Sequence, residues 1–156
     1  MSGFHAGYQE IKPRELVRHL LQVTDQYERG HVSPAELLRM LGLEYLSFDF
    51  AVELPLEVQT NVGKQAPRAL LSIDDKTVAT DSSLNEKRTR FSVLHEIGHY
   101  MLPSHQHSLY MCDAVGLSFA AQLVMEKEAS EFAADLLFLG DRFSLEANSH
   151  PVCART

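Results

Sequence analysis

The chain has 156 residues, 45% of them hydrophobic, which is enough for one ordinary core and gives little reason for two. Its 14 basic residues against 21 acidic ones leave a formal charge of -7, and no run of Lys or Arg could track a phosphate backbone, so direct nucleic-acid binding is not expected. Residues 1–9 lack the basic start and apolar run of a secretory signal, and no segment approaches the roughly 20 apolar residues that span a bilayer. Cys112 and Cys153 stand outside any CxxC and cannot build a disulfide framework. A cytoplasmic protein with no membrane association follows as the expectation.

Pro13 opens a helical pattern with Leu16, Leu20, Leu21 and Val23 on it, and Gly30 is placed to end it, so an N-terminal helix is predicted over about 13–30. Ser33 and Pro34 read as N-cap and first residue of a second helix that presents Leu37, Leu38 and Leu41 and stops at Gly42. Residues 43–56 turn aromatic and β-branched, which predicts one or two strands, limited by Pro55. Asn61-Val62-Gly63 and Asp74-Asp75-Lys76 look like turns, and 69–73 and 77–80 resemble paired strands of a small, mainly antiparallel sheet.

Ser83-Leu84-Asn85-Glu86 fits a capping box ahead of an apolar stripe, Leu84, Phe91, Leu94, Ile97 and Met101, which Pro103 ends. Residues 104–116 show no period and read as a loop. A last helix is predicted over about 124–139, with Gly140 as its cap.

His95-Glu96-Ile97-Gly98-His99 is the HExxH pattern, whose chemistry requires a helix. Residues four apart share a helical face, so both imidazoles can reach one metal ion, while Glu96, rotated by about 100°, can meet a metal-held water as its base. Catalytic zinc takes three protein ligands, so one more is needed. In the last helix Ala129, Phe132, Ala133, Leu136 and Leu137 define the apolar face, and Glu126 falls some 50° from its centre while Glu128, Glu131 and Asp135 fall more than about 100° away. Glu126 is therefore the expected third ligand, with Glu128 in reserve; the alternative is that Glu126 merely occupies an exposed first turn.

The segment Arg90-Phe91-Ser92-Val93-Leu94-His95-Glu96-Ile97-Gly98-His99, with Glu126 to Leu137 and its Phe132-Ala133-Ala134, resembles the ImmA/IrrE family of zinc metallo-endopeptidases. Weaker similarity extends over about 33–140. By that resemblance His95, His99 and Glu126 match the metal ligands and Glu96 the catalytic base. It also implies a protein substrate, a helix-turn-helix repressor, and a role in transcription regulation or stress response. Ser130 replaces the family's usual Asn or Asp, the Pro after the paired leucines is absent, and the chain ends before the C-terminal sensory or docking region of longer members.

The expected architecture is an α+β zincin-like domain over residues 1–156, in which the HExxH helix and the Glu126 helix pack beneath the sheet, with a short tail over 141–156. Expected activity is zinc-dependent (Zn2+) peptide hydrolysis; the alternative is a zincin-fold regulatory module that binds a partner without cutting it. His105-Gln106-His107 reads as a solvated loop pair, and Tyr100, Tyr110 and His107 are open candidates for oxyanion stabilisation. Gly98, costly inside a helix, predicts a close contact with the sheet or the last helix.

Overall fold

A computed structural model describes residues 12–56, 67–103, 105 and 119–149. The Asn61-Val62-Gly63 turn, His107, Tyr110 and both cysteines lie outside these residues. Helix α1 (Pro13–Val23) starts at a proline whose missing amide costs nothing there, and it buries Val17, Leu20 and Leu21. The helix expected to run to Gly30 breaks early. The Thr24 hydroxyl donates to Leu20 O at 2.7 Å. Asp25 then turns left-handed at φ 57°, and a separate short α2 (Gln26–Arg29) ends at Gly30 with φ 77°. Helix α3 (Pro34–Leu41) has the predicted Ser33 cap and ends at Gly42, φ 68°, where the Leu43 amide reaches back to Leu38 O at 2.9 Å.

Strand β1 (Glu44–Phe48) gives way to α4 (Phe50–Glu53), capped by Asp49, where a second strand was possible. Strands β2 (Ala69–Ser72) and β3 (Thr77–Asp81) pair antiparallel, as expected, across the Asp74-Asp75-Lys76 turn. The sheet order is β1-β3-β2, and β1 runs parallel to β3, Glu44 opposite Thr77, so the sheet is mixed. Parallel pairing requires a long connection, and the chain between Phe48 and β3 supplies one with β2 inside it.

Helix α5 (Glu86–Met101) does not use Ser83 as its cap. Asn85 accepts from the Arg88 amide at 3.0 Å, while the Ser83 hydroxyl donates to Asp81 at 2.6 Å. Ser83 is thus committed to the end of β3. Helix α6 (Phe119–Leu137) begins ahead of the predicted start near 124. At its end Leu139, not Gly140, takes the first left-handed position, φ 56°, and the Gly140 amide bonds Asp135 O at 2.7 Å. Residues expected as tail form α7 (Arg142–Ser149), and Arg142 reaches the Tyr27 carbonyl and lies over the Tyr27 ring.

The class is α+β, as the sequence implied. Helix α5 lies between the sheet, which it meets at β2 and β3, and α6, while α1 covers another part of α6. The core joins Leu20, Leu21, Leu37 and Val78 to Leu94, Ile97, Phe132 and Leu136, all almost fully buried. No helix among the described residues is long and apolar enough to cross a membrane.

At Gly98 the two long helices nearly touch. A Cβ built there would lie 3.2 Å from Ala129 O and from Phe132 Cδ1, and 3.3 Å from Ala129 Cα. Two of those atoms are backbone and cannot yield unless a helix shifts. Gly98→Ala should therefore destabilise the protein by about 1–2 kcal/mol in denaturant titration, because overpacking outweighs the helix propensity that alanine adds; a stabilised variant would refute the contact. Asn85→Ala should cost about 1 kcal/mol by the same measurement. If Ser83→Ala lost the α5 N-terminus and Asn85→Ala did not, the cap would have to be reassigned.

Candidate metal centre

Because α5 is regular through its last turn, His95 and His99 stack along one face, with ring centroids 4.8 Å apart and planes at 78°. Their Nε2 atoms lie 3.1 Å apart. From α6, Glu126 brings Oε2 to 3.0 Å from His95 Nε2 and Oε1 to 3.2 Å from His99 Nε2. The three residues the sequence pattern selected therefore converge, with donor atoms all within 4.8 Å of one another. The His99 side chain is 4% exposed and Glu126 62%, so the cluster has a buried floor and an open edge. Glu126 thus reaches the histidines from the rim, not from the buried face that helical spacing suggested.

The donor set suits a small divalent cation. A tetrahedral ion with ligand bonds near 2.05 Å has donor separations of about 3.3 Å, close to the 3.1 Å between the two Nε2 atoms and to the 3.0 and 3.2 Å from them to Glu126 Oε2 and Oε1 respectively. Hydrogen-bond supply points the same way. His99 Nδ1 and His95 Nδ1 are each engaged on the far side, by His105 at 3.0 Å and Ser130 at 3.2 Å. With protons placed there, both Nε2 atoms become acceptors facing a carboxylate that can only accept. Acceptors crowded together need a cation among them.

The electrostatics reflect that crowding. Protonated on Nε2 instead, His95 has its pKa lowered by burial but raised overall by its hydrogen bond to Glu126 and by the charges of Glu96 and Glu126. In that state hydrogen bonds from His95 and His99 hold Glu126 well below the usual carboxylate range. Glu96 is buried, 8% exposed, and desolvation pushes its pKa up against the opposing pull of His99 and His95.

Three further residues take part beside the predicted ligands and base. His105, expected as a solvated loop histidine, is fully buried: its Nδ1 meets His99 Nδ1, and its Nε2 lies 2.8 Å from Glu128 Oε2. The chain is helical at Pro103 and at His105, where a loop was expected, and so short a piece has no period to betray the burial. Glu128, the reserve ligand, was assigned to the solvated side of its helix; it bonds His105 instead. Ser130 keeps its oxygen on His95, so its departure from the family's Asn or Asp leaves that imidazole supported. Tyr100 packs, partly buried, against the core.

An HExxH helix, two converging imidazoles and a carboxylate from the next helix define a metallopeptidase type of site on an α+β frame. The model of the IrrE N-terminal-like domain, a peptidase family, matches residues 50–152, and the chain belongs to that family. Comparison with curated protein sequences gives no significant match. A solved structure of a Mycobacterium tuberculosis transcriptional regulator aligns at TM-score 0.48 and 18% identity, covering 88% of this chain and 45% of that one. The present chain thus spans less than half of that protein's length.

Zinc retention after dialysis checks the ligand set. Wild type should keep about one ion per chain, Glu128→Ala should still fill at saturating zinc, and Glu126→Ala should lose most of it. Retention by Glu126→Ala equal to wild type would remove Glu126 from the site.

Proposed function

We propose that this chain is a zinc-dependent endopeptidase acting in the cytoplasm on a protein substrate, a helix-turn-helix transcriptional repressor by its family resemblance. The observation that carries the peptidase reading is the meeting of His95, His99 and Glu126 on one point beside a buried glutamate. His95, His99 and Glu126 would hold the ion, and Glu96 would be the base.

A zinc ion there would polarise the scissile carbonyl and supply a water whose pKa is lowered to about 7. Glu96 would accept that water's proton on its carboxylate and pass it to the departing amide nitrogen. Burial raises its pKa, which favours a carboxylate that both takes up the proton and returns it. Substrate would enter from the edge where Glu126 is exposed, because the opposite side is closed by His99 and His105. The net charge of -7 favours contact with the repressor protein over its DNA.

The rival reading, a regulatory module that captures a partner without cutting it, draws part of its support in the sequence from Ser130. That residue retains a hydrogen bond to His95, which weakens the case.

Zinc-loaded protein incubated with candidate repressors should release discrete fragments. Glu96→Gln should keep its zinc and cut about 10²–10⁴-fold more slowly. Equal cutting by both proteins would assign the activity to a contaminant, and capture by both with no product in mass spectrometry would favour the rival.

A further inference from the structure

Both ring nitrogens of His105 are committed, and the order of their partners forms a continuous line. Glu128 Oε2 lies 2.8 Å from His105 Nε2, His105 Nδ1 lies 3.0 Å from His99 Nδ1, and His99 Nε2 lies 3.2 Å from Glu126 Oε1. Helix α6 therefore closes both ends of a two-imidazole chain, with Glu126 at the ion's end and Glu128 at the other. His105 is helical and is held just beyond α5, its amide bonding Leu102 O at 3.0 Å. It is 0% exposed.

We propose that Glu128 and His105 are positioning residues that fix the tautomer and orientation of His99 for metal binding. The proposal rests on His95, His99 and Glu126 being the metal ligands. A metal-binding imidazole offers the lone pair of one nitrogen and must carry its proton on the other. His99 therefore needs an acceptor at Nδ1. His105 Nδ1 is an acceptor only when the His105 proton sits on Nε2, and an ionised carboxylate at that Nε2 accepts and cannot donate. Glu128 thus sets His105, and His105 sets His99.

Metal-ligating histidines commonly give their second N–H to a carboxylate or carbonyl, which orients the ring and raises its basicity. Here the carboxylate acts one imidazole further away. His95 has the simpler arrangement, with Ser130 Oγ at 3.2 Å from its Nδ1. The two ligating rings are thereby supported differently, and His99 is the one tied to a charge.

Two readouts test this without reference to peptide cleavage. Zinc affinity, measured by competition with a chromophoric chelator, should fall about 10- to 100-fold in Glu128→Ala and in His105→Phe. Glu128→Gln, whose amide oxygen can still accept from His105, should recover most of the loss. In the zinc-loaded wild type, nitrogen-15 NMR should place the protons on His99 Nδ1 and His105 Nε2, and Glu128→Ala should disturb the His105 assignment. Affinity in Glu128→Ala within about twofold of wild type, or a wild-type proton on His105 Nδ1, overturns the proposal. The NMR assignment decides the matter even if a variant fails to fold. A wild type that binds zinc with these tautomers yet cuts nothing would sink the peptidase reading and leave this one standing.

Discussion

The close approach of α5 and α6 at Gly98 is the constraint on which the site depends. Backbone atoms of Ala129 would stand 3.2–3.3 Å from a side chain there, so only glycine lets the helices pack at this separation. Ala129 and Ala133 keep the facing ridge low, and Phe132 and Leu136 fill the space on either side. Glu126 lies about one turn before Ala129, and His95 and His99 flank Gly98. The contact that joins the helices is thus the contact that delivers the carboxylate to the imidazoles.

That placement concentrates ionisable groups where burial opposes charge. Glu96 responds with a raised pKa, while Glu126, at the open rim, is held ionised by the two histidines. Two carboxylates near one imidazole pair are thereby driven to opposite protonation behaviour. The buried one is suited to exchanging a proton and the exposed one to remaining an anionic ligand. Such a cluster is poorly compensated alone and well compensated by a divalent cation, which links the stability of the site to its occupancy.

Around the cluster, polar residues supply what the ligands lack. Ser130 supports one ring, and His105 with Glu128 supports the other. Residues Glu126, Glu128 and Ser130 all come from a single stretch of α6, so one helix provides the carboxylate that meets both histidines, the hydroxyl that meets His95 and the carboxylate that meets His105. A rigid element sets geometry more tightly than separate loops could.

Much of this was legible in the residues themselves, and the reason is periodicity. The HExxH spacing, the Ser33 and Gly42 ends of α3, the apolar face of α6 and the glycine placed inside α5 are all relations between residues a few positions apart, which local backbone geometry translates directly into direction. Contacts between distant segments carry no such regularity. The parallel pairing of β1 with β3, the diversion of Ser83 to Asp81 and the burial of His105 came only with the packed structure. Glu126 lies between the two cases: its spacing nominated it, but its reach to His95 across 31 positions depends on how two helices cross. Helical phase can say which way a side chain points; only the assembled core decides what stands in front of it.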